Sequence, residues 1–180
     1  EIIEALQKDF GNRDPKASFF TEIVSTIGVL EHAIKNIDKW TKDEKRPSNV
    51  NQPFLIRLMM GFLGSKSYIK YQPLGTIGVI SPWNFPVNLV LAPLAGIFAA
   101  GNRTMIKPSE LTPATSEVTK KMFEAYFDKS EAAVFTGDAE VGAAFSALPF
   151  DHLLFTGGTQ IGKKVMKAAS ENLVPVTLEL

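Results

Sequence analysis

The chain contains no cysteine. That excludes a disulfide framework, a thiolate metal site and a cysteine nucleophile within these residues. Histidine is scarce as well. His32 and His152 stand far apart, and a zinc site takes three or four grouped ligands, so no metal centre is predicted. Neither charge is in excess: 19 Lys and Arg balance 19 Asp and Glu. Nothing therefore draws the chain to nucleic acid or to an anionic membrane surface. Long apolar runs are also missing. The best one, 87–100, is shorter than a membrane span and holds Asn88 and Pro93. No secretory pattern opens the chain, so a cytoplasmic protein without membrane partners is expected. Residue 1 is Glu and a helical pattern is already running there, so the start is expected to lie inside a longer chain.

What is present is ordinary globular material. Of 180 residues, 45% are apolar, enough for one core with an appendage. Residues 1–10 place Ile2, Ile3, Leu6 and Phe10 on one side of a helix. Asp14-Pro15 is a helix start, a carboxylate cap followed by a first-turn proline. From there to about residue 42, Phe20, Ile23, Val24, Ile27, Leu30, Ile34 and Ile37 recur at three- and four-residue steps, the pattern of a long amphipathic helix. Residues 42–53 are polar and proline-punctuated and read as a loop. Residues 67–71 alternate like a strand, and 58–63 are read as its extension.

From Gly75 the rhythm becomes regular. Strands are predicted at 76–81, 104–107, 132–136, 152–156 and 174–178, and helices at 87–100, 112–127, 138–148 and 159–171. Short apolar strands alternating with helices imply a five-stranded parallel sheet with helices on both faces, an α/β architecture. Ligands of such sheets bind at the carboxyl ends of the strands. Five distinctive segments fall there in turn: Trp83-Asn84, Lys107 to Glu110, Gly137, Gly157-Gly158 and Glu179.

Each segment has a chemical and a plain reading. Gly157-Gly158-Thr159-Gln160-Ile161-Gly162 joins a strand to a helix, where free N–H groups and the helix dipole suit a phosphate. It is neither G-x-G-x-x-G nor a Walker A motif, and a simple glycine turn fits equally. Lys107 and Glu110 can grip ribose hydroxyls, or form a solvated charge pair at a helix start. Asn84, between Trp83 and Phe85 and two prolines, can donate to an oxygen that becomes negative, worth about 2.7–4 kcal/mol in oxyanion holes. It can instead bond its own backbone as a turn asparagine. Glu179, after Val-Thr-Leu on a strand expected to be buried, suits a base or a solvated strand end.

Taken in order, Pro-Trp-Asn-Phe-Pro, Ala-Ala-Gly-Asn, Lys-Pro-Ser-Glu, Phe-Thr-Gly and Leu-Glu-Leu resemble the aldehyde dehydrogenase superfamily, strongly from about residue 64 to 180. Residues 139–155 and 172–180 resemble the coniferyl aldehyde dehydrogenases in particular. The resemblance implies a Rossmann-like NAD(P)-binding domain at 75–180, part of an oligomerisation β-element at 64–74, and a helical segment with linker at 1–63. It implies that Asn84 is the oxyanion donor and Glu179 the base that activates the hydrolytic water. Trp83, Lys107, Ser109, Glu110, Gly137, Thr156, Gly157, Gly158, Gly162 and Leu180 would surround the cofactor, with Lys107 and Glu110 on the adenosine ribose.

The implied reaction is attack of a cysteine thiolate on an aldehyde, hydride transfer to NAD (NADP tolerated) and hydrolysis to the carboxylic acid. The intact enzyme would be a homodimer or homotetramer. Two departures stand out. Gly158 replaces a frequent serine, which leaves phosphate to the backbone. The family's nucleophilic cysteine lies beyond Leu-Glu-Leu, outside these residues, so the chain is expected to be the amino-terminal portion of a longer enzyme, inactive alone. Three other readings remain: a non-catalytic NAD(P)-binding module, a structural fragment that self-associates through apolar surface, and a relative that passes the acyl group to CoA or phosphate. A water-activating Glu179 argues against the last.

Overall fold

The computed structural model describes residues 1–47 and 51–180. Its centre is a five-stranded, wholly parallel sheet. The strands are β3 (Thr76–Ile80), β4 (Arg103–Lys107), β5 (Ala132–Val134), β6 (His152–Thr156) and β7 (Val176–Glu179); β1 (Glu44–Arg46) and β2 (Ser67–Ile69) precede them in a separate two-stranded sheet. Their order across the sheet is β5-β4-β3-β6-β7. The chain therefore starts in the middle, builds outward to β5, and returns to the other side of β3 with β6. The reversal puts the topological switch point between β3 and β6, where open α/β sheets leave a crevice at their carboxyl edge.

Alternation along the strands sends side chains to two cores. Ile77, Val79, Ile106, Ala132 and Val134 point to one face and meet Val90, Leu94 and Phe123. These last belong to α5 (Asn88–Ala99) and α6 (Pro113–Tyr126). Leu153 and Phe155 point to the other face and meet Phe145, Val165 and Ala169, from α7 (Ala139–Ser146) and α8 (Thr159–Ser170). Phe123, Leu94, Ile106 and Leu153 are fully buried, each worth about 1.5–3 kcal/mol in apolar transfer. The parallel sheet with helices on both faces is the one the sequence predicts.

The sheet's first residue position is set by two side chains. Asn102 Oδ1 accepts from the Leu74 and Gly75 N–H groups at 2.7 and 3.0 Å. Asp151 Oδ2 accepts from Thr76 N at 2.7 Å. Gly75 has φ +136°, and a Cβ there would lie 2.0 Å from Asp151 Oδ2, so only glycine fits.

The amino-terminal segment differs more from expectation. Helix α1 (Ile2–Phe10) forms as predicted and packs on α6. Asp14 caps the next helix, accepting from Lys16 N at 3.1 Å, with Pro15 in its first turn. That helix is not uniform: α2 (Pro15–Ser18) passes through a π-helical stretch, Phe19–Val24, into α3 (Ser25–Trp40). Its buried side is not the apolar one. Ser18, Glu22, Thr26 and Ala33 are buried, whereas Phe20, Ile27 and Ile34 are 64%, 49% and 73% exposed. α3 lies on α5, so the N-terminal helices form a layer outside the first core.

Two predictions fail between residues 42 and 63. The predicted loop contains β1 (Glu44–Arg46), antiparallel to β2 (Ser67–Ile69); residues 48–50 of that loop lie outside the described residues. The stretch read as a strand extension is helix α4 (Phe54–Phe62). Its Leu, Met and Arg residues favour helix, and an apolar run without clear period cannot separate helix from strand. α4 has no buried residue, and Phe54 and Phe62 are 77% and 94% exposed. Among the described residues, no helix is long and apolar enough to cross a membrane, and no cluster of metal-ligating side chains occurs.

Candidate active site

The carboxyl edge of the sheet carries two clefts. One, of about 380 Å³, is lined by Pro82, Trp83, Asn84, Thr156, Gly157, Gly158, Glu179 and Leu180. It sits at the switch point, beyond β3, β6 and β7. The other, of about 300 Å³, lies beyond β4 and β5 and is lined by Ser109, Glu110, Thr136, Gly137 and Asp138 among others. A larger groove, about 780 Å³, runs between α1 and α6 and shares Pro113 and Glu117 with the second cleft. Seven of the twelve predicted site residues thus share the first cleft, and three more line the second.

In the first cleft the Asn84 side chain is oriented by its own chain. Its Oδ1 accepts from Phe85 N at 3.1 Å. The Nδ2 group has no acceptor among the described residues and is the part of the amide left to act. The turn-asparagine bond therefore leaves the N–H₂ end unengaged and is compatible with a donor role. Glu179 comes to the same cleft from β7, in register with Thr156, and its backbone carbonyl accepts from Gly157 N at 3.0 Å. β7 is an edge strand, and Glu179 is exposed. The expectation of a buried strand fails at this point because no strand pairs with the outer side of β7 among the described residues. Trp83 is 51% exposed and its ring lies 6.4 Å from that of Phe10.

The helix starts along this edge differ in one respect. Every α-helix leaves its first N–H groups unpaired. At α5, Glu22 Oε2 accepts from Val87 N and Asn88 N at 3.1 and 2.9 Å. At α6, the Asp9 carboxylate accepts from Ala114 N and Thr115 N at 3.0 and 2.8 Å, and from Thr115 Oγ1. At α7, Asp138 Oδ1 accepts from Glu140 N and Val141 N. At α8, Gly158 supplies no side chain, and Thr159 N and Gln160 N donate to nothing among the described residues. Three of the four positive helix ends already hold a protein carboxylate. The fourth opens on the switch-point cleft and suits an external anion.

Lys107 and Glu110 are not a solvated pair. Lys107 is 2% exposed, and its Nζ donates to Pro108 O at 2.8 Å and to Glu110 Oε2 at 3.3 Å. The ion pair fixes Glu110 at the mouth of the second cleft while leaving its carboxylate partly in water. Ser109 is occupied locally: its Oγ accepts from Leu111 N, and its carbonyl accepts from Ser116 Oγ. Gly137 has φ +154°, and a Cβ on it would lie 2.5 Å from Val141. A side chain there would collide with Val141 at the start of α7. Gly162 lies outside both clefts; a Cβ there would lie 2.6 Å from Leu180, so the glycine lets Leu180 close on α8.

Asp9, Arg13 and Glu22 are the site-building residues that sequence reasoning missed. The signal was a carboxylate on the Ser18, Glu22, Thr26 stripe, the polar face of a helix whose apolar residues drew attention instead.

The edge geometry is matched by similarity. The aldehyde dehydrogenase family model matches residues 1–180. A probable coniferyl aldehyde dehydrogenase of Caulobacter vibrioides is 55% identical over all of this chain and 36% of its own length. The substrate-bound Staphylococcus aureus AldH structure superposes with a TM-score of 0.88 at 42% identity, over 99% of this chain and 37% of that one. A Mycobacterium tuberculosis aldehyde dehydrogenase complexed with NAD+ gives 0.81 at 27% identity, over 99% and 34%. The chain thus spans about a third of the length of the relatives it matches. With a match running from the first residue to the last, on a sheet whose edge carries these clefts, the chain belongs to the aldehyde dehydrogenase family.

Proposed function

We propose that this chain is the cofactor-binding part of an NAD-dependent aldehyde dehydrogenase that converts coniferyl aldehyde, or another aromatic aldehyde, to its carboxylic acid. The observation that carries this reading is the sharing of one cleft by the free Asn84 amide, Glu179 and the uncapped start of α8. The names of the Caulobacter relative and of the NAD+ complex support the substrate class and the cofactor. The division into 1–63, 64–74 and 75–180, and a dimeric or tetrameric intact enzyme in the cytoplasm, belong to the same proposal.

The residues fit a dinucleotide. The Thr159 and Gln160 N–H groups would meet the pyrophosphate, while Glu110, in the second cleft with Gly137 and held by the buried Lys107, would bond the adenosine ribose. Thr156, Gly157 and Leu180 would flank the nicotinamide end. Glu110 would repel a 2′-phosphate, and its pairing with Lys107 softens that repulsion, so NAD is preferred and NADP tolerated. When bound, the cofactor supplies the hydride acceptor. Asn84 Nδ2 donates to the substrate oxygen as it gains negative charge. Glu179, in contact with water, takes the proton of the attacking water during release of the acid. The thiolate that this chemistry needs would come from outside these residues, which contain no cysteine.

Titration with NAD+ and NADP+, followed by quenching of tryptophan emission, tests the cofactor site. Saturable quenching is expected, with affinity at least tenfold weaker in Lys107→Ala. Reduction of NAD+ by the full-length gene product in the presence of coniferyl aldehyde tests the reaction. Binding without turnover would replace this reading with the non-catalytic module.

A further inference from the structure

Arg13 is held at four points around the Asn84 loop. Its Nη2 lies 2.8 Å from Glu22 Oε1, with Glu22 fully buried. The contact is ionic rather than a well-aligned hydrogen bond. Its Nη1 donates to the Asn84 carbonyl at 3.0 Å. The guanidinium carbon sits 4.7 Å from the Phe10 ring centroid and 5.2 Å from that of Phe85. Phe10 in turn abuts Trp83. Residues 83, 84 and 85 are therefore each fixed from the amino-terminal segment: residue 83 by Phe10 at the end of α1, residues 84 and 85 by Arg13 in the turn between α1 and α2.

Glu22 has a second duty. Its other oxygen caps α5, accepting from Val87 and Asn88, and the Asn88 amide donates to Ser25 and Thr26 on α3. The loop that carries Asn84 runs from the end of β3 to that capped helix start. Its distal end is anchored on Glu22, and its middle is anchored on Arg13. Neither residue lines either edge cleft.

We propose that the Arg13–Glu22 pair is a positioning device that sets the Asn84 amide in the cleft, so that part of the catalytic rate is stored in the amino-terminal segment outside the sheet. The inference rests on the oxyanion reading of Asn84 given above. Its physical basis is that a donor displaced by about 1 Å forfeits about 100-fold in rate, and a planar guanidinium satisfies two acceptors and two rings where a lysine cannot. Arg13→Lys keeps the charge but not the fork. Glu22→Gln keeps an oxygen for the α5 cap but turns an amide N–H₂ toward Arg13, which releases the pair without uncapping the helix.

The experiment measures kcat and KM in the full-length gene product carrying Arg13→Lys, Glu22→Gln or Asn84→Ala, and each of the first two combined with the third. Thermal unfolding of every variant is recorded alongside, and Glu22→Gln carries the test if Arg13→Lys does not fold. Expected is a loss of at least tenfold in kcat for each single variant, with KM for NAD+ changed less than twofold. In the Asn84→Ala background, neither partner substitution should lower kcat further, because a positioning residue acts only through the group it positions. Equal losses in both backgrounds would make the pair merely structural and overturn the inference. So would an unchanged kcat in the Arg13 and Glu22 variants beside a slow Asn84→Ala. An Asn84→Ala protein at full rate would instead overturn the oxyanion reading, and this inference with it.

Discussion

The N–H of Phe85 donates to Asn84 Oδ1 at 3.1 Å, and that single bond decides which end of the Asn84 amide faces the cleft. With the oxygen engaged, the N–H₂ end is presented as a donor. An aspartate at this position could accept the same Phe85 bond but would turn a second acceptor toward the substrate oxygen. Asn84→Asp in the full-length gene product is therefore expected to lower kcat by about 100- to 1,000-fold, the range for loss of an oxyanion donor. NAD+ affinity, read by tryptophan quenching, should stay within about threefold, since Asn84 is not among the groups assigned to the dinucleotide. An equal loss in both quantities would mean a collapsed loop rather than a missing donor.

Asp9 offers a stability test remote from chemistry. It lies on α1, yet its carboxylate takes the first free N–H groups of α6 and the Thr115 hydroxyl, 105 and 106 residues away. Removing a cap of this kind costs about 1–2 kcal/mol. Asp9→Ala should lower the unfolding free energy by that amount, read as a lower urea midpoint with the slope of the transition unchanged. A change below about 0.3 kcal/mol would mean that α1 contributes through its apolar contacts alone.

The regular part of this fold was legible because every level agreed. Each strand between Thr76 and Glu179 is short, each helix is punctuated by Gly, Pro or Asp, and the unusual residues fall at strand ends. Chain order alone also brought Asn84, Gly157 and Glu179 to one edge. What the sequence hid were contacts between distant segments. Nothing local in Glu22 reveals that it caps a helix beginning at Asn88, and Asp9 looks like an ordinary surface residue of an amphipathic helix. The α2–α3 helix misleads for a related reason. Its apolar residues follow helical spacing, but the face that meets α5 is the polar one, because the partner there is a helix start in need of acceptors. At α4 the local signal was ambiguous, and none of its residues is buried in the described structure.

Tyr71 gives a pH-dependent prediction. Its phenol donates to Glu44 Oε1 at 2.7 Å, tying the chain after β2 back to β1, where Glu44 also pairs with Arg46. The Glu44 carboxylate, first by accepting this hydrogen bond and then by its charge, holds the phenol above its usual value. A folded-state value above the unfolded one means that the bond contributes fully below about pH 10, the ordinary phenol value. Its contribution fades as pH rises through the folded value. Ultraviolet titration should show one tyrosine ionising later than the rest, and Glu44→Gln should bring it back toward them. Three tyrosines titrating together in the unaltered protein would remove this link between β1 and the chain after β2.

Gly158 is the residue at which this chain departs from the family's frequent serine, and its backbone does not require glycine. It adopts φ −70°, ψ 143°, an extended conformation open to any residue, and a Cβ there would meet nothing within 4 Å. It is also the N-cap of α8, where serine is favoured because its hydroxyl can bond the free N–H groups of the first turn. Gly158→Ser should therefore stabilise the protein by about 0.4–1 kcal/mol, largely by restricting the unfolded chain. Its effect on the cofactor separates two sources of phosphate affinity. If the Thr159 and Gln160 N–H groups hold the pyrophosphate, a serine hydroxyl competing for them should weaken NAD+ binding or leave it level, even as the protein becomes more stable. If affinity instead rises tenfold in step with stability, the hydroxyl itself is the better phosphate donor, and the bare helix start is not the main source of binding. Paired urea unfolding and NAD+ titration of the same preparation decide between them.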